Sequence, residues 1–318
     1  MDLGVRLWGQ TDARSALLSQ TDALDRPLQW DAELAVSEIA TPAWVIGGLQ
    51  RGHGMPEDVP LLRRISGGAS VSVGPGTIHV ALALRSPSAL LAADAKNLIN
   101  RYVRPLLRAL GRCGAPAAYF GRDWISVGHR PAGIVGFAHD GLSGRALFEA
   151  FVAVSTPFSK RRPSFRGREP GTLEGIVGRA LAPARVARAI ADSYGELAGV
   201  APEDLAPRPI PEGAWIEEVA LRGEPPWAAS VEESIGSVSA GRDSAGVMRL
   251  GGDFMASRDA VARLERSLVG LTQPSANELE ARLEEAFIRP CAAIEGVRDL
   301  ASFRTVLLAA ITPERVLV

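Results

Sequence analysis

The spacing of hydrophobic positions changes several times along the chain, and each change predicts an element. Apolar residues over Val5 to Trp8 predict a strand, and Asp22 to Glu38 reads as holding a short helix. Pro42-Ala43-Trp44-Val45-Ile46-Gly47-Gly48 reads as a strand closed by glycines. Residues 69 to 84 read as a hairpin, with Ser70 to Val73 as one arm, Gly74-Pro75-Gly76 as the turn and Ile78 to Leu84 as the other arm. The second arm is apolar on both faces, which predicts a central strand. Ser86-Pro87-Ser88 then opens a helix whose inner face is Leu91, Ala95, Leu98 and Tyr102, with Pro105 set to kink or restart it before Gly111. Short strands are predicted at Ala117 to Phe120, Trp124 to Val127, Ile134 to Phe137 and Val152 to Val154, and Val186, Ile190 and Leu197 mark a further helix.

Periodicity then stops. Ala201 to Gly213 reads APEDLAPRPIPEG, a proline-rich stretch expected to be a linker. Beyond it, Trp215 to Arg222 and Val247 to Leu250 predict strands. Ser257 is placed to cap a helix with Val261, Leu264 and Leu268 inside and Gly270 as its stop. Ser275 and Glu278 form a capping-box pattern before Leu279, Leu283 and Phe287, with Pro290 ending that helix. A last helix is expected from Asp299 to Ile311. The expected organisation is a domain over 1–200, a linker over 201–213 and a smaller α+β domain over 214–318.

Composition narrows the function classes. The 318 residues carry 35 basic and 36 acidic side chains, a net charge of −1, so no global field draws the chain to nucleic acid or to an anionic membrane. No apolar run is long enough for a membrane span, and the N-terminus has no signal-peptide pattern, which together suggest a cytoplasmic protein. Cys113 and Cys291 are far apart and form no CxxC, and the four histidines are scattered, so neither a disulfide framework nor a zinc site is expected. Cys113 reads as a buried structural cysteine. All basic residues except Lys96 and Lys160 are arginine.

The most informative stretch is Arg63-Arg64-Ile65-Ser66-Gly67-Gly68-Ala69-Ser70-Val71. Two guanidinium forks precede glycines whose backbone N–H groups can approach an anion unobstructed, which suits a phosphate or a carboxylate. The same residues also suit a plain glycine turn leading into a strand. The GxxxxGK[ST] spacing of a Walker A loop is absent.

This stretch, with Gly76-Thr77-Ile78-His79 after it and Val45-Ile46-Gly47-Gly48-Leu49-Gln50 before it, resembles the signature of the lipoate–protein ligase family. Gly128-His129-Arg130-Pro131-Ala132-Gly133 is similar to the family's Gly-Arg-Lys block, with Arg130 at the lysine position. Gly121-Arg122-Asp123-Trp124 resembles the strand ahead of it. Gly251-Gly252-Asp253-Phe254 and Ile294-Glu295-Gly296-Val297 resemble pieces of the family's accessory domain. Ala69 replaces a third glycine, and no His-Gly-Thr segment stands near Leu147 to Val154.

The resemblance implies an α+β fold: a biotin/lipoate ligase-like mixed sheet with flanking helices, plus a small accessory domain. It implies ATP-dependent activation of lipoate to lipoyl-AMP, then transfer to a lysine of an acceptor. The acceptors implied are lipoyl domains of 2-oxoacid dehydrogenase complexes or the glycine cleavage carrier protein. Arg130 and Asp123 would be catalytic, and Gln50, Arg63, Arg64, Ser66, Gly67, Gly68, His79 and Gly133 would hold the adenylate. Asp123 would also organise Mg2+. An ATP-independent octanoyl or lipoyl transferase and a non-catalytic acyl or adenylate binder remain as alternatives; Arg130, Ala69 and the missing His-Gly-Thr favour the second. The run Ser159 to Arg168, with Lys160, Arg161, Arg162, Arg166 and Arg168, reads as a solvated basic loop, a lid or a docking patch for an acidic acceptor, with Lys160 available to replace the missing lysine.

Overall fold

The computed structural model of the chain describes residues 2–160, 163–201, 208–211, 218–287 and 292–312. Its strands begin with β1 (Leu3–Thr11) and β2 (Ala32–Ile39). Three short ones follow, β3 (Ala43–Ile46), β4 (Leu61–Arg63) and β5 (Val71–Val73). Then come β6 (Thr77–Leu84), β7 (Ala117–Tyr119), β8 (Trp124–Val127), β9 (Arg130–His139) and β10 (Ala146–Ala153). Seven of these form one mixed sheet in the order β1-β2-β6-β10-β9-β8-β7, with only β1 and β2 parallel. The short strands form a second sheet, β4-β3-β5, laid over one face of the first.

Helix α1 (Ala13–Leu18) follows β1, and α2 (Leu98–Arg112), α3 (Leu173–Val177) and α4 (Pro183–Ala198) come later in the chain. Helices α2 and α4 cover the other face of the large sheet. Ile78, Val80, Leu82 and Leu84 of β6 share a core with Leu106 and Ile190, while Ala81 and Ala83, on alternate positions, pack on the opposite side. Each such fully buried aliphatic contributes about 1.5–3 kcal/mol.

The C-terminal part has its own core. It comprises α5 (Glu218–Arg222), the antiparallel sheet β11 (Ala229–Glu233), β12 (Gly236–Arg242) and β13 (Met248–Gly252), and then β14 (Met255–Ala256), α6 (Arg258–Ser267) and α7 (Ala276–Phe287). The short strand β15 (Ile294–Glu295) pairs with β14, and α8 (Ala301–Ile311) closes the unit. Phe254 and Phe303 meet edge to face at 4.9 Å within it. The α+β architecture matches the expected fold class.

Several local expectations need correction. Asp22 to Glu38 holds turns and β2, not a helix; the helix is α1, upstream. Glu33, within β2, is buried in a bidentate pair with Arg26. The hairpin over 69–84 is not one: β5 pairs with β3, whereas β6 pairs with β2 and β10. The Gly74–Gly76 turn instead carries the chain from one sheet to the other. Gly76 has φ +86°, and a Cβ there would lie 2.1 Å from Ser155 Oγ. Helix α2 starts at Leu98 rather than near Ser86 and runs unbroken through Pro105. The Tyr102 hydroxyl, donating to Pro87 O at 2.8 Å, ties down the preceding turns.

Residues 218–222 are helical, not strand; 212–217, Pro290 and Cys291 lie outside the described residues. So do 202–207 of the expected linker, although Arg208 forms a bidentate pair with Asp22 at 2.5 Å. Ser257 stands at the N-cap of α6, but its hydroxyl bonds elsewhere. Cys113 is buried, and burial pushes its thiol pKa up.

Candidate functional site

Strand alternation decides what lies beneath the arginine–glycine loop. Phe148, Ala150 and Val152 of β10 face α2 and α4, so Glu149 and Phe151 face the loop. His79 of β6 faces the same side, stacked on Phe151 with ring centroids 5.0 Å apart. Gly136 of β9 is opposite Glu149 in the register. A Cβ at Gly136 would lie 2.8 Å from Gly67 O and 3.0 Å from Ser66 Oγ, so the bare backbone there is what lets the loop seat.

Glu149 is the hub of the cluster. Ser66 Oγ donates to its Oε2, and His79 Nε2 donates to its Oε1 at 2.8 Å. Arg64 Nε lies 3.6 Å from Oε2. The Arg64, His79 and Glu149 side chains are all 3% exposed or less. Burial alone would raise the Glu149 pKa, but His79, Arg64 and Ser66 overcome it and hold the carboxyl below the usual glutamate range. Arg64 Nη2 also donates to Gly67 O at 3.0 Å and Ala69 O at 3.1 Å, so the buried cation shapes the loop.

The two loop amides expected to approach an anion are engaged by carbonyls in this conformation. Gly67 N–H donates to Phe137 O at 3.0 Å, and Gly68 N–H, at φ +99°, donates to Phe254 O at 3.1 Å. The C-terminal unit therefore sits directly on the loop; a Cβ at Gly67 would lie 2.8 Å from Met255 Cα. Gln50 joins the same contact. Its Oε1 accepts from Gly47 N–H at 2.8 Å and its Nε2 donates to Asp253. Arg63 reaches Glu224 at 2.6 Å and Gln50 O at 2.7 Å.

Between the two units lies a cavity of about 740 Å³, whose walls include Gln50, Arg51, Arg63, Arg64, Gly67 and Trp227. This volume is in the range of small-molecule sites. The Arg51 guanidinium stacks 3.8 Å over the Trp227 ring and donates to four backbone carbonyls, among them Pro225 O and Gly241 O. Its walls mix these charged groups with apolar ones such as Leu18, Leu49 and Val261, which suits a ligand that carries both charge and an aromatic or aliphatic part.

The remaining expected residues lie along β8 and β9. Arg130 opens β9 after a tight turn in which Gly128 and His129 have φ +55° and +64°. It is exposed, its stem lies against Gly171, and it stands six residues, roughly 20 Å, from Gly136. Gly133 is buried in the sheet, where a Cβ would lie 3.1 Å from the Ile125 side chain. Asp123 is fully buried, its carbonyl accepting from Val135 N–H at 2.9 Å. The structure thus gathers Arg64, Ser66 and His79 into one cluster and places Gln50, Arg63, Arg64 and Gly67 on the cavity wall. Arg130 is not part of either.

Glu149, Glu224 and Asp253 were not among the expected site residues. For Glu149 a signal existed: it is the only charge in the apolar run Leu147 to Val154, where an unpaired carboxylate would be prohibitive. Glu224 had none, because its partner Arg63 lies 161 residues away. In the basic run, Lys160 pairs with Glu169 at 3.6 Å on the surface, and Arg161 and Arg162 lie outside the described residues.

No family model matches the sequence, and no curated protein matches it. Solved structures do resemble it. The Plasmodium falciparum protein LipL1, solved in complex with lipoate, superposes with a TM-score of 0.65 at 12% identity, over 96% of this chain and 99% of that one. A bipartite lipoate protein ligase from Thermoplasma acidophilum gives 0.52 at 15% identity, over 70% of this chain and 91% of its own. A lipoate-protein ligase A bound with ATP gives 0.51 at 16% identity, over 70% and 93%. The likeness to LipL1 spans both units, and at these identities it is a likeness of architecture: this chain has the biotin/lipoate ligase fold.

Proposed function

We propose that this chain is a lipoate–protein ligase-type enzyme that activates a lipoate-like acid with ATP and passes the acyl group to a lysine of a lipoyl domain. The observation that carries the reading is the cavity between the units, with Gln50, Arg63, Arg64 and Gly67 on its wall, in a fold shared along nearly its whole length with a lipoate-bound protein. In the first step a carboxylate oxygen of the acid would attack the α-phosphorus of ATP, and the α–β phosphoanhydride bond would break to release pyrophosphate. In the second, a lysine amine of the acceptor would attack the acyl carbon, AMP would leave and the amine proton would pass to solvent. Arg63 on the wall would stabilise negative charge at the phosphate and carboxylate, while Arg64, held against Glu149, keeps the loop in shape.

Gly67 already lines the cavity, whereas access to the Gly68 amide would require movement of the C-terminal unit. Withdrawal of Phe254 and Met255 would free the Gly68 amide, while Gly67 would stay tied to Phe137 within the N-terminal unit. Asp123, the residue expected to organise magnesium, is not open to an ion in this conformation. Asp123 is fully buried, and among the described residues no group of three or more histidine, cysteine, aspartate or glutamate side chains can hold a metal. No step is therefore assigned to Asp123 as a metal ligand.

A second reading, a binder without turnover, is favoured by the exposed position of Arg130 away from the cavity. The intact mass of an apo lipoyl domain, incubated with the chain, lipoate and MgATP, separates the two. A lipoyl increment that requires ATP is expected. An increment without ATP would point to a transferase, and ligand binding with no increment would establish the second reading. Among the described residues no helix is long and apolar enough to cross a membrane.

A further inference from the structure

Along β8, on the face away from α2, runs a second hollow of about 290 Å³ framed by Phe120, Arg122, Trp124, Ser126, His129 and Arg168. Alternation explains it: Ile125 and Val127 enter the core under the helices, which leaves Trp124 and Ser126 on the outer side. Trp124 is held by its Nε1–H to Ser164 O at 3.2 Å and edge-on against Phe165. Arg168 lies over its ring, 5.9 Å from the centroid. Phe120, at the rim, is 68% exposed.

The charge of this surface is one-sided. Among the described residues its frame holds two arginines and a histidine and no carboxylate, and exposed Arg130 follows His129 in the chain. Of the carboxylates nearest in sequence, Asp123 is fully buried, and Glu169 is exposed and faces Lys160 at 3.6 Å. Arg122 Nη1 is shielded from solvent yet has no hydrogen-bond partner among the described residues. Such a donor is costly to leave unmade, and an incoming carboxylate would complete it.

We propose that this hollow is a docking surface for an acidic protein segment, with Phe120 as the apolar anchor and Arg122 and Arg168 as the paired cations. The partner meant is the acceptor domain, so the proposal rests on the ligase reading. Arginine and aromatic residues are enriched in protein interfaces relative to the rest of the surface. The hollow is smaller than most enclosed ligand pockets, and a phenylalanine stands exposed at its rim, which favours a protein contact over a small molecule. Docking there would bring the acceptor beside Arg130.

The test is direct binding of an apo lipoyl domain of net negative charge to the full chain, by calorimetry. The variants are Phe120→Ala, Arg122→Ala and Arg168→Glu. Each is expected to weaken binding at least about tenfold, and binding to the unmodified chain should weaken as sodium chloride rises from about 50 to about 500 mM. Lipoate-dependent ATP–pyrophosphate exchange, measured on the same samples, should be unchanged in Phe120→Ala and Arg168→Glu. Equal binding by all variants overturns the proposal, and so does a lipoyl domain that does not bind the unmodified chain. If Phe120→Ala instead weakens AMP binding without the domain present, the hollow is a nucleotide site and the proposal fails. Absent exchange in the unmodified chain would sink the ligase reading, while the binding arm would still decide whether an acidic protein docks here.

Discussion

Arginine is put to opposite uses at two places in this molecule. Under the loop, Arg64 is buried with Glu149, His79 and Ser66, and its charge is met on the spot. At the β8–β9 turn, Arg130 is exposed, and exposed Arg168 frames a hollow with no carboxylate among its described lining residues. A buried cation must be compensated by the fold itself, because the interior offers neither water nor salt. An exposed one can be left for a partner at little cost. The first region therefore fixes architecture, and the second is free to recognise.

The sharpest way to break this contrast is to remove the compensation. Glu149→Ala leaves Arg64 buried without its carboxylate and is expected to cost about 3–5 kcal/mol in urea unfolding. Glu149→Gln, which keeps an acceptor for Ser66 or His79, should cost less. The folded-state pKa of Glu149 is depressed, so the unfolded chain binds the proton more tightly. Its contribution is thus complete above the ordinary glutamate value of 4.5 and is lost as pH falls through its lower native value. Acid unfolding of Glu149→Gln should lack that component; an unchanged acid limb would show that the cluster does not need the charge.

The contact between loop and C-terminal unit comes next in size. A methyl at Gly67 meets Met255 Cα and Phe254 O, both backbone, at 2.8 Å. Backbone cannot rotate aside, so Gly67→Ala must move one unit from the other, at about 1–3 kcal/mol. Small-angle scattering should report a larger radius of gyration and limited proteolysis faster cleavage. Asp253→Ala, which unties Gln50 and the Ser237 amide, should act in the same direction at about 1–3 kcal/mol. A compact Gly67→Ala protein would mean that the loop relaxes instead.

These two regions also differ in how far the sequence disclosed them. The Arg-Arg-x-Ser-Gly-Gly stretch is local, so its place beside a strand could be read from nine residues. Its chemistry could not, because the partners of Arg64 and Ser66 come from β10, more than 80 residues on. Local pattern likewise gave β6 as a central strand but mispaired it with β5, since turn glycines reveal that the chain reverses and not which sheet it joins. Helix α5 reads as a strand in sequence because five residues hold too little periodicity to separate 3.6 from 2. Ser257 stands at the N-cap of α6, as its sequence position predicts, but its side chain does not cap the helix. Its hydroxyl is drawn to His139 Nδ1 and accepts from Ala293 N–H, each at 2.8 Å, contacts with no sequence signature.

That histidine gives a smaller, pH-dependent effect at the junction of the units. Burial lowers the His139 pKa, against Asp259 and Asp140, which pull it up. The native state therefore keeps His139 neutral where the unfolded chain is already protonated. Stability from this group is complete above the ordinary value of 6.5 and falls as pH drops below it, by at most about 1.4 kcal/mol per pH unit. His139→Gln should flatten stability between about pH 6.5 and 5 without touching the Glu149 limb below. An equal slope in the variant would assign the titration to another group.

The smallest expected effect belongs to Lys160, and it decides whether the exposed edge needs a lysine at all. The Lys160 and Glu169 side chains are 74% and 67% exposed and 3.6 Å apart, so water and salt screen the pair. Lys160→Ala should change stability by no more than about 0.5 kcal/mol. If Arg130 alone supplies the charge at the acceptor step, Lys160→Ala also leaves lipoyl transfer unchanged while Arg130→Ala reduces it. The reverse result would mean that the basic loop brings Lys160 across to the hairpin. Arginine at position 130 would then be a docking residue like Arg122 and Arg168, rather than a substitute for the family lysine.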